Sequence, residues 1–166
     1  MSTASATAPL SAEEKAAIVG LFSHYPTKRA ACIDALRHVQ KQRGWVSDQS
    51  LAEVAGLLDM STAELDEVAT FYNLIFRKPV GEHVLYLCDS ITCWVMGRDG
   101  IARHLNERLG VRPGETTRDG KLTFLPIVCL GHCDHAPALM LDEALHGDVD
   151  TARLDDLIND LMKAAE

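Results

Sequence analysis

The chain has 166 residues, 47% of them hydrophobic and 24% charged, which is the make-up of ordinary globular protein with room for one domain or two small ones. No run approaches the ~20 apolar residues that a membrane-spanning helix requires, and no secretory hydrophobic region follows Met1. The charge argues against a nucleic-acid partner: residues 1–80 carry nine acids and eight bases, whereas residues 81–166 carry fifteen acids and eight bases.

In chain order, residues 1–10 hold no Arg or Lys, and the first base is Lys15. That argues against a mitochondrial transit peptide, and the segment reads as disordered. Ser11-x-x-Glu14 is a capping-box start, and Ile18, Leu21 and Phe22 follow on one helical face before Pro26. A second helix is expected from Thr27 to about Gln42, with Ile33, Leu36 and Val39 inward and Gly44-Trp45-Val46 closing it. Ser47 or Asp48 opens a third, carrying Leu51, Val54, Leu57 and Leu58. A second capping box, Ser61-x-x-Glu64, introduces Leu65, Val68, Ala69 and Tyr72. Four short amphipathic helices with brief connections make a small bundle over residues 11–78. Phe71, Tyr72, Leu74, Ile75 and Phe76 are denser than one buried stripe needs and point to a protein-docking surface.

From Arg77 to Gly81 the pattern becomes a linker, and beyond it the periodicity turns strand-like. His83–Leu87 predicts a buried strand running into Cys88. A helix follows to about Leu109, with Ile101, Leu105 and Leu109 at spacing four and Gly110 as its stop. Asp119-Gly120 is a turn signal, and Leu122–Val128 is a strand leading into Cys129. Pro137–Asp142 is a third strand, with a hairpin return through Glu143–His146. The last helix opens at Asp150 or Thr151, with Leu154, Leu157, Ile158, Leu161 and Met162 on one face. The fold class is therefore α+β: a helical bundle over 11–78, then an α/β layer of thioredoxin-like character over 79–166.

Four of the five cysteines lie in two short loops, Cys88-Asp-Ser-Ile-Thr-Cys93 and Cys129-Leu-Gly-His-Cys133. Each loop follows a predicted strand and presents two sulfurs to one point. Gly131 lets backbone N–H groups turn towards an anion. Four convergent thiolates hold an iron–sulfur cluster or a structural zinc ion, and the spacing admits both. A thioredoxin-type dithiol requires C-x-x-C, which is absent. A Rieske centre requires two histidines, and although His132 and His135 lie beside the second loop, the first loop has none. Cys32, far off in a predicted helix, reads as a buried free thiol. No G-x-G-x-x-G, no P-loop and no catalytic triad is present, so no catalytic residue is assigned.

From about Ser11 onward the chain resembles the thioredoxin-like 2Fe-2S ferredoxin family, which provides the 24-kDa subunit of NADH:quinone oxidoreductase (respiratory complex I). The resemblance is carried by Gln40–Val46, Val68–Tyr72, the Cys-Asp-Ser-Ile-Thr-Cys loop at 88–93, Pro113–Gly120 and the run from Cys129 to Pro137. It implies one 2Fe-2S cluster with Cys88, Cys93, Cys129 and Cys133 as both metal ligands and cofactor-binding residues. It also implies a partner flavoprotein that binds NADH and FMN, a neighbouring iron–sulfur subunit, and a peripheral place on the cytoplasmic face of a bacterial inner membrane. The diaphorase-type subunit of an NAD-linked hydrogenase or formate dehydrogenase is the alternative within the family. A zinc-stapled interaction module is the alternative of another class.

Overall fold

The computed structural model describes residues 7–163, apart from the side chain of Met162. Residues 1–6 of the expected disordered segment, and Met162 on the last apolar face, lie outside the described residues. The chain divides into two compact units, with the division between Val80 and Gly81.

The first unit holds α1 (Ala12–Leu21), α2 (Cys32–Arg43), α3 (Asp48–Leu57) and α4 (Thr62–Phe71). Both capping boxes form. Ser11 and Glu14 bond reciprocally at 2.7 and 3.1 Å, and Ser61 and Glu64 at 2.9 and 3.2 Å. Each box satisfies two amide donors that a helix start leaves unpaired, which is why these helices begin where they do. Gly44 takes the left-handed conformation (φ 83) that ends α2. Ile18, Leu36, Val39, Leu51, Val54, Leu58 and Leu65 form the core, with Leu21, Phe22, Leu57 and Val68 packed against it.

Three expectations change here. The second helix begins with a tight 3-10 turn (Lys28–Ala31) capped by Thr27, because i to i+3 bonds use up amides at a helix entry. Residues 8–10, expected to be disordered, are held in place. Leu10 is buried and its N–H reaches Glu53 at 3.2 Å, while the Ala8 and Pro9 carbonyls accept from Arg43. Those partners are remote in sequence, so local composition could not reveal them. Arg77, expected in the linker, donates to Asp66 at 2.8 Å, to Asp48 at 2.6 Å and to the Val46 carbonyl. In the aromatic cluster, Ile75 is buried while Phe71, Tyr72 and Leu74 are exposed.

The second unit is a five-stranded sheet in the order β2-β3-β1-β4-β5. Its strands are β1 (His83–Cys88), β2 (Glu115–Thr116), β3 (Leu122–Ile127), β4 (Leu139–Leu141) and β5 (Ala144–His146). β1 runs parallel to β3 and antiparallel to β4, and the outer strands pair antiparallel. Between β1 and β3 lie α5 (Ile91–Val95) and α6 (Arg98–Leu109), and α7 (Thr151–Lys163) closes the unit. Leu85, Leu87, Phe124 and Leu139 of the sheet share one core with Ile101 and Leu105 of α6 and Leu154 and Ile158 of α7. Helices on a mixed sheet give the α+β, thioredoxin-like arrangement. Two elements have no forerunner in the sequence reading. β2 is two exposed residues, and α5 is five residues with a single buried position, so neither leaves a legible period.

Candidate metal centre

The parallel pairing of β1 with β3 brings the two cysteine loops together. Cys88, the last residue of β1, sits in register with Ile127, the last of β3. The chain therefore leaves both strands at the same edge of the sheet, one residue before Asp89 and two before Cys129. The Asp89 N–H donates to the Ile127 carbonyl at 2.7 Å and ties the two exits to each other. α5 then turns back and buries Cys93 beside Cys88, where Ala136 and Ala138 pack against them. The Cys88 N–H donates to the Ala138 carbonyl at 3.1 Å. Arg98 holds the first loop from outside, with one guanidinium nitrogen 3.0 Å from Asp89.

The thiols form an inner and an outer pair. Cys88 and Cys93 are buried, whereas Cys129 and Cys133 are exposed. The outer sulfurs stand 3.9 Å apart. Metal–sulfur bonds of about 2.3 Å at a tetrahedral centre separate two sulfurs by about 3.8 Å, so this pair already has the spacing of two ligands on one metal. The pairs also touch: Cys88 hydrogen-bonds both Cys93 and Cys129. Among the described residues, no three His, Cys, Asp or Glu side chains close around one point as a ligand set for a single ion.

The surroundings treat the thiols unequally. Gly131, in the left-handed conformation at φ 74, aims its N–H at Cys129 Sγ at 3.4 Å. That donor, with Cys133, Ser90 and Cys88 adding to it, pulls the Cys129 thiol below its ordinary range. The neighbouring Cys129 pushes Cys133 up, and burial pushes Cys93 up. Cys129 is therefore the thiol readiest to become a thiolate, the form that binds metal.

The structure thus brings Cys88, Cys93, Cys129 and Cys133 together and leaves Cys32 out. Cys32 begins α2 and packs, half-buried, on the core of the first unit. His132 and His135 stack on each other with centroids 4.7 Å apart, and His135 Nδ1 lies 2.7 Å from Asp148. Asp148 raises the His135 pKa above its ordinary value. Sequence reading missed the hydroxyls of Ser90 and Thr92, which face Cys129 and Cys133 respectively. They read only as turn-forming polar residues, although their place between Cys88 and Cys93 was a usable signal. It also missed α5 as a display element. Ile91, Trp94 and Val95, with Met96 after the helix and Val128 before Cys129, are all more than half exposed.

The sequence model of the thioredoxin-like 2Fe-2S ferredoxin family matches residues 18–162. A subunit of the NADH-quinone oxidoreductase of Pseudomonas aeruginosa is 46% identical over 140 residues, 84% of this chain and 84% of the relative. The NADH-quinone oxidoreductase subunit of the same name from Escherichia coli K12 is 45% identical over 149 residues, 90% of each. Among solved structures, an NAD+-reducing NiFe hydrogenase in its H2-reduced state superposes with a TM-score of 0.69 at 26% identity. The match covers 80% of this chain but only 22% of the hydrogenase chain.

Proposed function

The chain belongs to the thioredoxin-like 2Fe-2S ferredoxin family, and on that premise we propose that it is the electron-transfer subunit of an NADH:quinone oxidoreductase. Cys88, Cys93, Cys129 and Cys133 are its proposed cluster ligands. One observation carries this reading: two thiol pairs meet at the edge of a parallel strand pair, one buried and one opening to solvent. A donor set of four thiols in two pairs suits a two-metal cluster, with one pair on each metal.

When bound, a 2Fe-2S cluster supplies a one-electron redox couple. The chain's own residues do the rest. The inner pair lies in an apolar nest of Ala136, Ala138 and partly buried Leu130, which keeps water from that side. Gly131, Ser90 and Thr92 direct donors at the outer sulfurs, where thiolate charge needs them. The exposed pair is the side from which an electron enters or leaves.

Such a part works only beside a catalytic one. NADH and FMN are assigned to a partner flavoprotein, and a neighbouring iron–sulfur subunit and a peripheral place on the cytoplasmic face of a bacterial inner membrane follow from the same reading. Among the described residues no helix is long and apolar enough to cross a membrane. The diaphorase-type alternative draws on the hydrogenase likeness. The curated relatives favour the first reading, since they match this chain over nearly its whole length and theirs.

The test is the absorption and low-temperature EPR spectrum of anaerobically purified protein, with iron and sulfide assays. Visible bands, a reduced S = 1/2 signal and equal iron and sulfide are expected. A colourless protein carrying one zinc would move the assignment to a structural module.

A further inference from the structure

Behind the outer thiols runs a strap, Gly147–Val149, between β5 and α7. The Asp148 N–H donates to the His135 carbonyl at 2.7 Å, and the Val149 N–H donates to the Pro137 carbonyl at 3.0 Å. The Asp148 carboxylate meets His135 Nδ1 at 2.7 Å. Val149 anchors the strap by burying its side chain in the core of the unit. The strap is thereby laced to the turn Cys133–His135, which begins with one of the exposed thiols.

Gly147 is the point of closest approach. A Cβ there would stand 2.5 Å from His135 Cβ and 2.7 Å from both Cδ2 and Nε2 of His132, nearer than real Cβ atoms come. Its backbone is not left-handed, so the demand for glycine is one of space. The His132 ring could swing aside. His135 Cβ could not, because the turn's backbone is held by the Asp148 donor and by its own bond from His135 N–H to the His132 carbonyl at 3.2 Å.

We propose that the Gly147–Val149 strap is a positioning element for the outer thiol pair, and that an empty side-chain position at Gly147 sets where Cys133 stands relative to Cys129. A side chain at 147 must lift the strap from the turn or push the turn outward, and either moves Cys133 from its 3.9 Å spacing to Cys129. The proposal rests on the reading of these thiols as cluster ligands.

The experiment is Gly147→Ala in the full-length protein, read by EPR g-values, midpoint potential and iron and sulfide retention. Shifted g-values, a shifted midpoint and faster loss of iron are expected. Adding His135→Gly, which removes the obstructing Cβ, is expected to return all three towards the values of the His135→Gly single variant. Adding His135→Ala, which keeps that Cβ, is not. A Gly147→Ala protein with the parent spectrum and potential would overturn the proposal, as would equal rescue by His135→Ala. Should Gly147→Ala fail to fold, Asp148→Gly provides the second variant, because glycine accepts the left-handed backbone of Asp148 (φ 50) and removes the tie to the His135 ring. It is expected to move the same readouts in lesser degree, and parent values would again overturn the proposal. A separate arm uses metal-free protein and phenylarsine oxide, a dithiol probe, with capture mapped to Cys129 and Cys133 by mass spectrometry. Several-fold weaker capture in the variants is expected, and unchanged capture would count against the strap. That arm gives its answer even if the parent protein proves to hold no iron, which would sink the cluster reading alone.

Discussion

Glu14 serves two partners with one carboxylate. One oxygen caps α1 through the Ser11 N–H, and both oxygens take the Arg43 guanidinium, at 2.6 and 2.7 Å. Both side chains are largely buried, at 13% and 7% exposure. The Arg43 hydrogen bonds are the main cause that lowers the Glu14 pKa from 4.5 to about 2. A carboxyl depressed in the folded state adds stability that is complete above its unfolded value and is lost as pH falls through the folded one. The contribution is therefore present above about pH 4.5 and fades towards pH 2, with an upper bound of about 3 kcal/mol. Glu14→Gln should lower the urea midpoint at pH 7, and its deficit against the parent should shrink on acidification below pH 4.5. A deficit that stays constant from pH 7 to pH 3 would show that the charge is not its source. Among the thiols, Cys93→Ala should abolish the native cluster spectrum, since no other described cysteine can take its inner place; unchanged iron content would remove Cys93 from the ligand set.

At the scale of elements, Gly131 shows how a loop is tuned. Its left-handed backbone directs an N–H to Cys129, and alanine there would cost roughly 1–2 kcal/mol locally. Gly131→Ala should leave the urea midpoint of the helical bundle unmoved while iron retention falls, measured by iron assay after gel filtration. Full retention would mean the donor is dispensable. The inner support is Phe124, wholly buried on β3; Phe124→Ala should destabilise the second unit by about 3–5 kcal/mol in urea unfolding. The two capping boxes and the amphipathic stripes were legible because their partners lie within four residues. The positions of α5 and β2 were not. A helix whose one buried residue is Cys93 has no apolar stripe, and a two-residue strand exists only because β3 offers it a partner.

For the whole molecule, four thiolates in a unit with a surplus of acids both oppose the addition of an electron. The reduction potential should lie on the order of −400 mV, in the range of plant-type ferredoxins, and a titrated midpoint well above about −200 mV would refute this. Two apolar surfaces offer themselves to the proposed flavoprotein. One is the exposed trio Phe71, Tyr72 and Leu74 on the bundle; the other is Ile91, Trp94 and Val95 beside the cysteines. Trp94→Ser and Phe71→Ser, each in the intact chain, should weaken flavoprotein binding if their surface is the one used. Unchanged affinity in either eliminates that surface.

The sequence by itself determined the helix starts, the buried stripes and the two cysteine loops, because capping, periodicity and ligand spacing are short-range properties of the chain. The family likeness was legible for the same reason, since its motifs are local runs. Only the tertiary structure decided that Ala8–Leu10 are held by Glu53 and Arg43, that one thiol pair is buried and the other exposed, and that Gly147 leaves room behind Cys133. Each depends on groups that become neighbours only when the chain has folded, and no local pattern records which distant atom will occupy the adjoining space.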